Sequence, residues 1–183
     1  MSESAEAVAA NLKSSRNATI EILNLTNGYC LIDPKVYLES GHVYIPPQPT
    51  VRPQKVEVCN FSRVKTSGAV GVLTYDLFKK GSHSAAEKIA IMFSVPRDYN
   101  IYKNWLGLAI YKADKECNEK LYKEMYESKE QVGFVREEAH GCGLTFEGMN
   151  VDIMGTMSPM GRAIVKVEIW DKLFNPPKTQ GPY

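Results

Sequence analysis

Apolar positions in this chain repeat first with a helical period and then, from residue 19 onward, with the period of strands. Ala5, Val8, Ala9 and Leu12 stand at i, i+3, i+4 and i+7, which predicts a short amphipathic helix over residues 4–15. Glu3 and Glu6 lie at its start and Lys13 and Arg16 at its end, the order the helix dipole favours. Two of the four apolar positions are alanine, so the face is thin. Residues 19–25 then alternate and are β-branched, which predicts a strand closed by the turn residues Thr26-Asn-Gly28.

Short strand candidates recur with turn residues between them, at 29–32, 36–38, 43–45, 54–58, 71–78, 89–93 and 106–111. Four more follow at 133–136, 143–147, 150–154 and 163–170. Pro46, Pro47, Pro49 and Pro53 mark an extended segment that cannot be a central strand, because proline has no amide to donate. One further helix is predicted at 118–128, where Leu121, Tyr122, Met125 and Tyr126 share a face. Many short strands with two helices predict a mainly β chain, a β-sandwich with helices packed on its faces. The organisation is one domain: a helix within 1–16, a sandwich over 17–174 and a flexible tail over 175–183.

Length and composition agree with that reading. The 183 residues are enough for one buried core, and 44% hydrophobic with 23% charged residues is ordinary for a globular chain. A net charge of +1 argues against bulk capture of nucleic acid. There is no apolar run near the ~20 residues of a membrane-spanning helix. The acidic N-terminus carries no signal peptide pattern, which predicts a soluble monomer, cytoplasmic or released by an unconventional route. Cys30, Cys59, Cys117 and Cys142 are scattered without a Cys-x-x-Cys pair, so reduced thiols are expected rather than a metal site or a disulfide framework. Sequons at Asn17, Asn24 and Asn60 read as chance matches.

Between the apolar runs 89–93 and 106–111 lies Ser94-Val-Pro96, followed by Tyr99, Tyr102 and Trp105. Rings with an apolar body and a polar tip on such a loop suit a ligand or a membrane interface. These three are the candidate membrane-docking residues. Enzyme chemistry finds no support, since His42, His83 and His140 stand in no nucleophile, metal or acid–base motif. No cofactor or metal is expected.

The chain resembles the actinoporins, the sea-anemone cytolysins that form pores in sphingomyelin-containing membranes. The resemblance runs from about Ala7 to Trp170 and rests on Tyr37-Leu-Glu-Ser-Gly41, on Ser67-Gly-Ala-Val-Gly-Val-Leu-Thr-Tyr75 and above all on residues 92–105. Leu121-Tyr-Lys-Glu-Met-Tyr126 and Gly141-Cys-Gly-Leu144 complete it. It implies a sandwich flanked by two helices, a fold also found in fungal fruit-body lectins. It implies a phosphocholine pocket as well, formed here by Ser40, Val70, Ser94, Pro96, Tyr102, Tyr122 and Tyr126. Tyrosine faces suit a quaternary ammonium, and hydroxyls suit phosphate oxygens without adding fixed charge.

The departures are equally plain. Ile101, Leu106 and Glu127 stand where the anemone proteins carry aromatic residues, and Glu39 stands where they carry arginine. The Arg-Gly-Asp triplet is absent, and the first helix is short. These features fit an actinoporin-like protein of a non-venom, for instance vertebrate, lineage. Two functions follow from the resemblance. One is a cytolysin that binds phosphocholine lipid membranes, self-associates there and inserts residues from about Ser4 to Leu25, led by the helix carrying Ala5, Val8, Ala9 and Leu12, to open cation-permeable pores. The other is a non-lytic, lectin-like module that binds lipid or glycan.

Overall fold

A computed structural model describes residues 3–141 and 143–172. Cys142 and the tail expected over 175–183 lie outside the described residues. The chain begins with α1 (Ala5–Ala10), followed by β1 (Asn17–Asn24), β2 (Tyr29–Ser40), β3 (His42–Ile45), β4 (Thr50–Val51) and β5 (Lys55–Ser62). Next come β6 (Ala69–Lys79), β7 (Glu87–Val95), β8 (Trp105–Lys112) and α2 (Glu119–Glu127). The last strands are β9 (Val135–Glu138), β10 (Leu144–Glu147), β11 (Val151–Met157) and β12 (Arg162–Asp171). They form two sheets, one in the order β10-β11-β12-β1-β5-β3 and the other in the order β4-β2-β6-β7-β8-β9. The chain is therefore mainly β, a two-sheet sandwich with two helices, as predicted.

The sheets meet through alternate residues of each strand. Ile20, Ile22, Phe61, Val165 and Val167 of one sheet pack on Leu73, Tyr75, Ile89, Ile91, Phe93 and Leu108 of the other. Phe61 and Phe93 stack across the interface, with centroids 4.8 Å apart. A second core lies on the outer face of the second sheet, where Leu121, Tyr122 and Met125 of α2 cover Val72, Ala90, Met92 and Ala109. Strands β6 and β7 are thus buried on both faces, which explains why they read as near-continuous apolar runs.

Two differences from the predicted elements have physical causes, and the proline-rich segment behaves as predicted. The first helix stops at Ala10 and not at residue 15, because Asn11 and Leu12 turn back onto Val8 and Ala9 through i→i+3 bonds of 3.2 and 3.3 Å. Leu12 stays buried all the same. Strands predicted at 29–32 and 36–38 are one strand, β2, interrupted by a register shift between Ile32 and Lys35 at Asp33-Pro34. Asp33 has φ of 50°, and a bulge there absorbs the proline without ending the ladder. The proline-rich segment after β3 contributes only the two-residue edge strand β4.

Strand β1 is the spine of the first sheet, paired in parallel with β12 and antiparallel with β5 over its whole length. Its polar residues are buried and matched. Asn60 Nδ2 donates to Thr19 Oγ1 at 2.8 Å, Ser62 donates to Asn60 Oδ1 at 2.7 Å, and Asn24 Nδ2 donates to the carbonyls of Tyr29 and Val51. All three sequon asparagines, Asn17, Asn24 and Asn60, are fully buried, so none is open to glycosylation in the folded chain.

Candidate functional site

At one end of the second sheet, Ser40 of β2, Val70 of β6, Ser94 of β7 and Trp105 of β8 stand opposite one another in a single register row. Directly paired residues share a face, so this row forms the floor of a hollow on the outer face. Helix α2 supplies one wall, with Tyr122 and Tyr126, and the β7–β8 loop supplies the other, with Pro96 and Tyr102. The pocket has a volume of about 590 Å³, within the usual range for ligand sites. All seven residues assigned from the resemblance, Ser40, Val70, Ser94, Pro96, Tyr102, Tyr122 and Tyr126, line it.

The geometry of the rings differs from three open faces around a cation. Tyr122 and Tyr126, four apart on α2, stack at 5.6 Å with 13° between planes, and Tyr37 leans on Tyr122 at 6.2 Å. Tyr122 is buried, Tyr126 half-buried and Tyr102 exposed. Burial raises the Tyr122 phenol, with Tyr126 and Glu39 acting in the same direction. Burial also raises Tyr126, and a hydrogen bond with Ser94 works against that shift. The phenols are therefore neutral at physiological pH and able to donate.

Ser40 donates to the Gly68 carbonyl at 2.9 Å, which leaves its oxygen lone pairs as acceptors. Glu39 at the rim accepts from Tyr37 at 2.7 Å, and that bond pushes the Tyr37 phenol up to about 12. The carboxylate is thus held partly by the protein, and it forms no ion pair among the described residues.

The sequence reading missed Ser67, Gly68, Arg97, Asp98 and Ile101, which also line the pocket. Gly68 carries a local signal: a Cβ there would collide with the Val95 carbonyl and press on the Arg97 amide at 3.1 Å. Only glycine lets the β5–β6 and β7–β8 loops approach that closely. Another residue without a recognisable motif, Asn104, ties the loops together. Its Nδ2 donates to the carbonyls of Ser158 and Met160, both at 2.9 Å, and its Oδ1 accepts from Tyr99 at 2.7 Å.

The three predicted docking rings do not act as one cluster. Only Tyr102 reaches both pocket and solvent. Tyr99 is held by Asn104 and by the Arg16 guanidinium, which sits 4.4 Å above its ring. Trp105 begins β8 rather than ending the loop and is half-buried, with the Arg136 guanidinium 5.9 Å from its ring. The predicted inserting face, Ala5, Val8, Ala9 and Leu12, is buried against the first sheet. There is no helix among the described residues long and apolar enough to cross a membrane. No cluster of three or more metal-type ligands is found among them either.

Comparison with known proteins bears on the family and the fold. DELTA-alicitoxin-Pse1b from Phyllodiscus semoni is 43% identical over 65 residues, 36% of this chain and 26% of its own length. DELTA-stichotoxin-Hcr4a from Radianthus crispa is 31% identical over 104 residues, 57% of this chain and 53% of its own. Cytolysin tenebrosin-B from Actinia tenebrosa is 29% identical over 107 residues, covering 56% and 44%. The matches thus span about a quarter to a half of the relatives' length. Among solved structures, the lipid binding protein Nakanori superposes with a TM-score of 0.66 at 13% identity, covering 91% of this chain and 78% of that one, a likeness of fold. The sea anemone cytotoxic protein family matches residues 15–171, from the hinge before β1 to the end of β12, and the chain belongs to that family, the actinoporins.

Proposed function

We propose that this chain is a membrane-binding cytolysin that takes phosphocholine head groups into the pocket, self-associates on the membrane and opens cation-permeable pores with the segment containing α1. The carrying observation is the convergence of Ser40, Val70, Ser94, Pro96, Tyr102, Tyr122 and Tyr126, from four strands and loops and one helix, on one hollow. A quaternary ammonium fits between the exposed Tyr102 ring and the stacked tyrosine wall, each open ring contributing about 0.5–2 kcal/mol. Phosphate oxygens accept from the tyrosine hydroxyls, with Arg97 at the rim. Membership in a family of cytotoxic proteins supports the lytic step.

A second reading, docking without perforation, is favoured by one observation. Strand β1 is bonded on both sides along its full length, so insertion can draw only on the residues before Asn17 without breaking the first sheet. Two measurements separate the readings. Free phosphocholine titrated into wild type and into Tyr102→Ala/Tyr126→Ala should bind wild type at least tenfold tighter; equal binding removes the pocket assignment. Dye release from sphingomyelin vesicles should occur with wild type and stop when residues 1–16 are deleted, while pelleting with vesicles persists. Pelleting of wild type without release makes the non-lytic module the better reading.

A further inference from the structure

We propose that the loop end of the sandwich around the pocket is a docking face for membranes that carry anionic lipid. This rests on the membrane-binding reading and adds a second lipid class to it. The first row of the first sheet pairs Asn17 with Arg162 and Ser62, and the first rows of the second pair Ala69 with Val95 and Ser94 with Trp105. Segments 11–16, 63–68, 96–104 and 158–161 therefore leave the strands at one end. They are also bonded to each other: Asn104 reaches the 158–161 loop, Arg16 Nε donates to the Pro96 carbonyl at 3.1 Å, and the Arg63 amide donates to the Arg16 carbonyl at 3.0 Å.

On this end Lys13, Arg63, Lys65, Arg97, Lys103 and Arg162 form no ion pair among the described residues. The carboxylate within the same segments, Asp98, already accepts from the Asn100 amide at 2.8 Å. Between the cations stand apolar tips in water: Ile101 is 69% exposed, Met160 64%, Tyr102 54% and Val64 46%. At the opposite end the charges are mixed, with Lys115 paired to Glu124 at 2.7 Å and Asp114 and Glu116 beside it. A net charge of +1 hides this separation, because acids such as Glu119 and Glu124 on α2 sit away from this end, while Glu39 and Glu127 beside the pocket tyrosines and Glu138 opposite Trp105 offset only part of the positive charge here.

The physics of such a face is additive. Each cation within a Debye length of an anionic leaflet attracts it, and apolar tips that pass the head groups bury area that water otherwise surrounds. The phosphocholine pocket opens on the same end, lined by Arg97, Ile101 and Tyr102. One orientation thus serves zwitterionic and anionic lipid together.

The test compares pelleting with phosphatidylcholine–sphingomyelin vesicles with and without phosphatidylserine, at low and high salt. Wild type should gain from phosphatidylserine at low salt and lose the gain at high salt. Lys65→Gln/Lys103→Gln, two exposed positions outside the pocket, should cut the anionic gain about fivefold per charge removed and leave binding to neutral vesicles and to free phosphocholine unchanged. Absence of any gain for wild type overturns the proposal, as does an equal loss of the variant on neutral vesicles. Capture of a single-stranded oligonucleotide without a phosphatidylserine gain overturns it too. Failure of wild type to bind free phosphocholine would remove the pocket reading and leave the salt-dependent comparison intact.

Discussion

The two helices sit on opposite sheets of one sandwich and are held in different ways. Each begins with a capping side chain: Ser4 accepts from the Ala7 amide at 3.2 Å, and Asn118 accepts from the Leu121 amide at 3.0 Å. Beyond that they diverge. Helix α2 buries Leu121, Tyr122 and Met125, and its C-terminal carbonyls at Met125 and Ser128 both accept from Arg136 of β9 at 2.8 Å. Helix α1 buries two alanines and Val8 and has no basic side chain at its end. Its lateral ties are Glu6 to Lys166 at 2.5 Å and the Ala5 amide to Glu21 at 3.3 Å, both near the surface. The lesson is a difference in packing: α2 is anchored as one wall of the pocket, whereas α1 covers the other sheet with a smaller apolar face.

The largest effect that sharpens this contrast is expected at Met125. Met125→Ala empties a fully buried site between α2 and the sheet and should cost about 2–5 kcal/mol, read as a fall in the denaturant midpoint. Val8→Ala, at the centre of the α1 face, should cost about 1.5 kcal/mol. Met125→Ala should also weaken phosphocholine binding, because Tyr122 and Tyr126 lose their support; Val8→Ala should leave that binding alone. Equal costs at the two sites would break the comparison.

An intermediate effect is expected at the hinge. Arg16 lies between α1 and β1, and its side chain grips the pocket loop through the Pro96 carbonyl and the Tyr99 ring. Arg16→Met keeps the stem and removes both grips, at about 1–2 kcal/mol for a charged hydrogen bond and a cation–π contact. Hydrogen exchange should quicken in residues 5–12 and in the 96–104 loop together. Faster exchange in only one of the two would mean that the guanidinium does not join them.

How far the sequence carried this picture depended on the kind of signal. Alternation and turn residues placed most strands, because half-buried strands repeat every two residues. They split β2 at Asp33-Pro34, since a bulge and a chain break look alike in sequence. The partners of Asn17, Thr19 and Asn24 were invisible, because they come from strands distant in sequence. The seven pocket residues were legible only through the family resemblance; periodicity could not say that Ser40, Val70 and Ser94 share one register row. The stacking of Tyr122 on Tyr126 was half legible, as i,i+4 neighbours, but not its consequence that one face of each ring is already used.

The smallest expected effect concerns acid, and it separates the helices by pH. The Glu6 carboxyl is lowered from its ordinary 4.5, first by its hydrogen bond to Lys166 and then by a backbone hydrogen bond. A lowered carboxyl stabilises the docked helix above its unfolded value, and that contribution is lost as pH falls from about 4.5 through the folded value. Lys166 is raised above 10.5, chiefly by the same hydrogen bond, so its share disappears only as pH rises past that range. Both side chains are about half exposed, so solvent screening limits the pair to about 0.2–1 kcal/mol. Helix α2 has a comparable pair, Glu124 with Lys115 at 2.7 Å, but it is held as well by the Arg136 guanidinium, which keeps its charge at any such pH. Mild acid should therefore loosen α1 before α2. The amide signal of Ala7, inside the first turn of α1, should broaden below about pH 4.5 while that of Leu121, in the first turn of α2, stays sharp. Glu6→Gln should flatten the Ala7 response, and an unchanged response in that variant would place the loosening at Glu21 or another carboxylate.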